Sequence, residues 1–372
     1  MKGSSIYQRK GSKRYTLSIE VGQDENGRRV RHLYTYPTKR EAVEARVAKL
    51  SELHQGLYTA PSKVTTARWL NEWLEGRQGI AETTKSGYEV DIRRLIKVLG
   101  PRQLRQLTPQ LISAAYRELS GQGLSPKSIR NSHGLLHKSL EDATRQGVIP
   151  RNPSDHVELP RPDRHEMQVW TSDQLRTFLR HAQSHRFYPA IVLACSTGLR
   201  RSELLGLRWR SLDLDNGKAA ILDTLVPVKG EVVLRIGETK SRRSRRVIAL
   251  DTTAVAVLRA HRKSQAEERI AAGPLWTDVD LVFCNEAGKP VKPDTFTRTW
   301  KRLATEAGVP PLTPHSGARH SWATLALEAG VPLKVVQEQL GHSSIAITAD
   351  VYSHVSEDLS REAVERVAEM FR

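Results

Sequence analysis

Cysteine is nearly absent from this 372-residue chain. Only Cys195 and Cys284 occur, so neither a disulfide framework nor a cysteine-built zinc cluster is available. Long apolar runs are missing too. The longest apolar-leaning stretch, 189–199, falls short of the roughly 20 residues that a membrane-spanning helix needs. The first 13 residues are polar and carry no apolar signal segment. No Walker-type glycine loop and no dense carboxylate cluster is found. What these absences leave is a soluble protein expected to stay in the cytoplasm.

Positive charge, by contrast, is abundant. The 58 Lys and Arg outnumber the 41 Asp and Glu, for a formal net charge of +17. The excess is spread: +6 over residues 1–60, +6 over 61–165 and +5 over 166–372. A basic tail on a neutral enzyme would concentrate it. An even excess is what a chain that touches phosphate along its whole length would carry, and nucleic acid is the simplest polyanionic partner. Solvated charged faces are the plainer alternative.

Residues 5–35 read as three short strands, with the 15–21 run alternating in the strand period and a turn at 24–27. Thr38 to Glu41 fits a capping box, and Val43, Val47 and Leu50 form the apolar stripe expected of the helix that follows. Arg9, Lys10, Arg14, Arg28, Arg29 and Arg31 fall on these strands and turns, and a ribbon of this size fits a DNA major groove. Pro61 marks a linker. Four helical patterns follow, two of them opened by Thr108-Pro109 and Ser125-Pro126 as cap and first helical residue. Their Trp and Leu positions are core. A Pro-rich stretch at 149–166 reads as a second linker. Thr171 then caps a helix, and 212–250 alternates and turns like a small antiparallel sheet in an otherwise helical region.

Four stretches in this last region hold chemistry-bearing side chains. In Ser196 to Leu205, Gly198 is placed to end one helix, and Arg200 stands at the N-terminal edge of the next, where N–H groups and the dipole favour an anion. Glu203 is spaced to hold that guanidinium, although a surface Arg–Glu pair is the commoner meaning. Glu238 to Arg246 holds five cations, including Lys240, Arg242 and Arg243, and reads as a hairpin turn leading into a strand. The stretch 314–324 packs His315, Arg319 and His320 ahead of a helix. Finally, His342 precedes Tyr352 by ten residues.

Together these stretches resemble the boxes of the tyrosine recombinase (phage integrase) family: Thr-Gly-Leu-Arg-Arg-Ser-Glu-Leu-Leu for the first, and Leu-Gly-His-Ser-Ser with the later Tyr for the last. Ser125–Asn152 is similar to the family's core-binding helical domain, and residues 1–58 to the arm-binding domain of integrases. The resemblance implies an α+β multidomain chain: a small three-stranded sheet plus helix (1–58), a helical core-binding bundle (64–150), and a mainly helical catalytic domain with a small antiparallel sheet (167–372).

It also implies a site-specific integrase. Arg200 and Arg319 would stabilise charge on the phosphate, Lys240 would be the general acid, and His315 the proton acceptor or a supporting hydrogen bond. His342 would bond the phosphate, and Tyr352 would be the nucleophile. No cofactor is implied. The implied partners are double-stranded DNA attachment sites, three further copies of the chain in a tetramer passing through a Holliday junction, and an accessory DNA-bending or excision factor. The segment 357–372 would dock on a neighbouring protomer or on its own domain. One departure stands out. The family spaces its middle box His-x-x-Arg, whereas His315 and Arg319 are one residue further apart. Residues i and i+4 of an α-helix still share a face, so His315 is the residue assigned, with Ser316 in that place as the alternative and His320 in a supporting part. The same departure is the one feature favouring a non-catalytic DNA-binding protein on a recombinase scaffold.

Overall fold

The computed structural model describes residues 3–23, 28–54, 63–161, 167–228, 231–235, 245–342 and 344–345. The chain divides into two compact units, Met1–Arg164 and His165–Arg372.

The first unit opens with strands β1 (Ser4–Gln8), β2 (Tyr15–Gln23) and β3 (Arg29–Tyr36), antiparallel in the order β1-β2-β3. Ile6 pairs with Leu17, and Leu17 with Tyr34. The strand period therefore puts Leu17 and Ile19 on one face, where both are fully buried. Helix α1 (Lys39–His54) packs against the sheet. Its N-terminus is capped by Thr38, whose Oγ1 accepts the N–H of Glu41 at 3.2 Å. The expected stripe of Val43, Val47 and Leu50 is corrected. Val43 is 44 % and Val47 67 % exposed, and the helix residue that is fully buried is Ala42. The reason lies in long polar side chains. Arg46 Nε donates to Ser4 Oγ at 2.8 Å, and the Lys49 ammonium stands 4.3 Å from the Tyr34 ring centroid. Arg46, Lys49 and Leu50 are half-buried, so the face turned to the sheet mixes long polar side chains with apolar ones.

Four helices follow: α2 (Thr66–Glu75), α3 (Glu82–Leu99), α4 (Pro109–Gly121) and α5 (Pro126–Arg145). Thr108 and Ser125 cap α4 and α5 through their hydroxyls, each with proline at the first helical position. Trp69, Leu70, Leu95, Ile112 and Leu136 are among the core residues. Trp69 and Trp73 also spend their indole N–H groups inside the bundle, on Ser139 O and Asp142 Oδ2.

The second unit is mainly helical. In chain order it has α6 (Ser172–Ala182), α7 (Tyr188–Thr197), α8 (Arg201–Leu205), β4 (Leu212–Asp213), β5 (Lys218–Ile221), β6 (Thr224–Val228), β7 (Glu231–Arg235), β8 (Arg246–Ala249), α9 (Thr252–Ala272) and α10 (Pro293–Glu306). A π-helical turn, His315–His320, then runs directly into α11 (Ser321–Glu328), and α12 (Leu333–Leu340) follows. The centre is apolar. Helix α7 buries Ala190 to Cys195, and Trp170 stacks on Trp300 with centroids 5.6 Å apart, Phe178 lying against both. Among the described residues the single small sheet expected over 212–250 is two. β4, β5 and β8 form one, with Ala219 opposite Ile248, while β6 and β7 pair with each other. Local alternation fixes the strand period but not the partner, which here is set across an intervening hairpin.

Candidate active site

Gly198 ends α7 at φ +64°, a left-handed conformation that side chains other than glycine resist. Space forbids a side chain as well: a Cβ there would stand 2.7 Å from Leu340 Cδ2 and 3.3 Å from the Trp322 ring. The turn delivers Arg200 to the cap position of α8. The anion-favouring N-terminus anticipated there is corrected in one respect. The carboxylate of Glu203 already takes the Arg200 backbone N–H at 3.1 Å, so the chain supplies its own anion. Arg200 Nη1 donates to Glu203 Oε1 at 2.7 Å, and Nη2 to Gly341 O at 2.8 Å.

Glu203 is buried and serves a second cation. Arg246, the first residue of β8, donates through Nη2 to Glu203 Oε2 at 2.9 Å, through Nη1 to Oε1 at 3.2 Å and through Nε to Gln339 O at 2.8 Å. Burial works to raise the Glu203 pKa, but the hydrogen bonds and charge of Arg246 and Arg200 outweigh it and hold the carboxyl below its ordinary value. Sequence reasoning counted Arg246 only as one cation of a basic run. A signal was present: Arg246 lies two residues from Ile248, which is buried, so the strand period puts both on the inward face. The Arg246 side chain is 8 % exposed.

Arg319 is 1 % exposed. Its Nη1 donates to Gly198 O at 2.9 Å and its Nη2 to Leu340 O at 2.8 Å. Burial and the nearby Arg200 push its pKa down to about 9, which still leaves it charged at neutral pH. The turn that carries it is π-helical, not the α-helix on which the His315–Arg319 convergence was expected, because the extra residue is absorbed within the helix. His315 lies at the exposed end of this turn, its ring 4.3 Å from that of His320 in an edge-on contact.

The imidazoles are held neutral. Partial desolvation of its ring, then the charges of Arg319 and Arg200, lower the pKa of His315. Burial, His315 and Arg319 take His320 down to about 4. His342 follows the left-handed Gly341 that ends α12. Burial, then Arg319 and Arg200, lower it to about 4 as well. The structure therefore brings Arg200, His315, Arg319 and His342 into mutual electrostatic reach. Lys240, Arg242, Arg243, Tyr352 and the segment 357–372 lie outside the described residues. Of the basic residues on the first sheet, Arg9, Lys10, Arg14 and Arg28 are exposed, while Arg29 and Arg31 lie 3.5 and 3.7 Å from the Glu20 carboxylate. Among the described residues no group of three or more His, Cys, Asp or Glu is placed to hold a metal ion, and no helix is long and apolar enough to cross a membrane.

Two guanidiniums held on backbone carbonyls beside imidazoles of lowered pKa can offset negative charge on an oxyanion and accept a proton. Residues 168–358 match the phage integrase family, and residues 67–147 match the phage integrase N-terminal SAM-like domain. The chain is similar to a tyrosine recombinase XerC-like protein of Caldanaerobacter subterraneus subsp. tengcongensis, 29 % identical with 98 % of each chain covered. It is 30 % identical to an integrase of Streptomyces ambofaciens, with 91 % of this chain and 89 % of that one covered. Among solved structures, the Tn1549 transposon integrase in complex with a circular intermediate DNA superposes with a TM-score of 0.72 at 25 % identity, covering 82 % of this chain and 99 % of that one. The lambda integrase tetramer bound to a Holliday junction shares the fold at 19 % identity, with a TM-score of 0.58 and 93 % and 94 % covered.

Proposed function

Because this chain belongs to the phage integrase family and is a tyrosine-type site-specific recombinase, we propose that it integrates or excises a mobile element by breaking and rejoining DNA strands through a 3′-phosphotyrosyl intermediate. The observation that carries this is the placement of Arg200 and Arg319. Both guanidiniums are anchored on backbone carbonyls of the α7–α8 turn and the α12 terminus, Gly198, Leu340 and Gly341. A phosphodiester resists attack because it is anionic. Two pre-positioned cations offset that charge as it builds in the pentavalent transition state, with little reorganisation when the reaction occurs.

In this reading the Tyr352 oxygen attacks the phosphorus and the bond to the 5′-oxygen breaks. A phenol with an ordinary pKa of about 10 must lose its proton to attack. The neutral imidazole of His315 takes it, and the 5′-oxygen leaves with a proton from Lys240. His342 bonds the phosphate. A new 5′-hydroxyl then reverses the step, so the energy of the broken bond is kept in the tyrosyl ester. Residues 1–58 bind arm-type sites, with Arg9, Lys10, Arg14, Arg28, Arg29 and Arg31 as the phosphate contacts. Residues 64–150 and 167–372 each bind the core site, with Arg242 and Arg243 gripping the backbone. Four protomers exchange strands on double-stranded DNA in the cytoplasm, with an accessory bending or excision factor setting direction. The lengthened middle box, which favoured a non-catalytic scaffold, is absorbed by the π turn, and the fields of Arg319 and Arg200 at the His315 ring support its assignment.

A DNA substrate nicked next to the cleavage position tests the reading. The parent protein is expected to form a covalent adduct in EDTA that Tyr352→Phe does not form. If the parent forms no adduct on its own attachment site, the catalytic reading fails.

A further inference from the structure

His315 and Arg319 sit one residue further apart than His-x-x-Arg, and the surplus residue does not loop out. It is taken up inside the turn His315–His320 by i to i+5 bonding: the N–H of Ser321 reaches Ser316 O. The geometry has a consequence for direction. An α-helix rotates about 100° per residue, and a π-helix, with about 4.4 residues per turn, about 82°. Viewed down the axis from Arg319, the residue four back stands about 40° to one side in an α-helix and about 30° to the other side in a π-helix. The residue three back in an α-helix stands about 60° to that second side. The π turn thus returns His315 to the side that an α-helical i−3 residue would occupy, and it swings Ser316 about 115° away.

One side chain closes this turn. The Ser321 hydroxyl, fully buried, donates to Ser316 O at 3.0 Å and accepts the N–H of Trp170 at 2.8 Å. Ser316 O therefore receives both the N–H and the hydroxyl of Ser321. Trp170 is itself fixed by stacking on Trp300 and by donating Nε1 to Pro310 O at 2.9 Å. Gly317 lets the turn lie against that ring: a Cβ would stand 3.1 Å from it. The turn is thereby tied to a rigid aromatic block.

We infer that Ser321 is a positioning residue for cleavage: its hydroxyl ties the π turn to Trp170 and so aims His315 at Arg200 and Arg319. This rests on the reading that His315 acts on the attacking phenol. The fields of Arg319 and Arg200 at the His315 ring agree with that aim.

Single-turnover cleavage of the nicked DNA by the full chain tests it. His315→Ala comes first: a parental rate would overturn the role of His315 and this inference together. Deleting Ser316 removes the surplus residue while keeping Gly317 against Trp170. Cleavage is expected to stay within about threefold of the parent, because His315 then stands at i−3 of an α-helix. Ser321→Ala is expected to slow the parent about tenfold and the Ser316-deleted chain less than about twofold. Thermal stability should fall in both backgrounds, since Trp170 N–H loses its acceptor in each. Equal slowing in both, with His315→Ala impaired, would overturn the positioning role and leave the catalytic reading standing.

Should the deletion fail to fold, the pH profile of Ser321→Ala decides. A His315 that swings out of its partly desolvated place and away from the arginines regains a more ordinary pKa, so the acid limb of cleavage should move to higher pH. An unmoved limb would overturn the inference.

Discussion

Glu203 stands between two guanidinium groups, with Oε1 2.7 Å from Arg200 Nη1 and Oε2 2.9 Å from Arg246 Nη2. Arg246 is the more deeply buried of the two, and it also holds Gln339 O, one residue before the carbonyl that anchors Arg319. One carboxylate thus ties the start of α8, strand β8 and the end of α12 into a single block under the site.

Replacing that carboxylate by a neutral amide, Glu203→Gln, is expected to lower stability by about 3 kcal/mol, since two cations lose their buried counter-charge. Cleavage should fall about 100-fold as Arg200 loses its fixed orientation. Denaturant titration and suicide-substrate kinetics measure the two effects. A stability change within about 0.5 kcal/mol of zero would show that the carboxylate is not the anchor.

Arg246→Lys keeps the charge but cannot reproduce the planar fork whose three nitrogens reach both Glu203 oxygens and Gln339 O. A loss of about 2 kcal/mol and slower cleavage are expected, with the salt dependence of DNA binding unchanged. A buried guanidinium releases no counterion from the duplex. If the slope of log affinity against log salt drops by about one in the neutral variant Arg246→Gln, Arg246 contacts phosphate and its structural role is wrong.

His320 and His342 each have a folded-state pKa near 4, against an unfolded value of about 6.5. Between those values the unfolded chain binds more protons. Stability should therefore be full above about pH 6.5 and decline as pH falls toward 4. Melting temperature measured from pH 4 to 8 should show this, and His342→Gln should flatten the acid side. A curve of unchanged steepness in that variant would remove His342 as a source.

Gly198→Ala faces both the positive φ and the approach of Leu340 and Trp322, and a loss of about 2 kcal/mol is expected. Gly134, inside α5 with nothing within 4 Å of a Cβ, supplies the contrast: Gly134→Ala should stabilise by up to about 1 kcal/mol. Equal effects of the two substitutions on thermal unfolding would contradict the packing read at Gly198.

The architecture was readable wherever it rests on local rules. Thr108, Ser125 and Thr171 cap helices because a hydroxyl must meet the free N–H groups of the next turn, and sequence shows that directly. Helix α1 was misjudged because Arg46 and Lys49 are polar by composition yet turn their heads to Ser4 and Tyr34 of the sheet. Arg246 was missed for a related reason: a run of cations looks exposed until one of them is seen to share a strand face with Ile248. The expected α-helical spacing of His315 and Arg319 gave way to a π turn, which no periodicity in six residues announces.

The sequence by itself determined the order of elements, the turn at Gly198 and the boxes that hold Arg200, Arg319 and His342, since each depends on neighbours within a few positions. Only the tertiary structure decided which groups hold which. Arg319 meets the carbonyl of Gly198 across 121 positions and Arg200 that of Gly341 across 141. Contacts at such separations are chosen by the packing of the whole unit, where a buried guanidinium must find carbonyls or a carboxylate or leave the core.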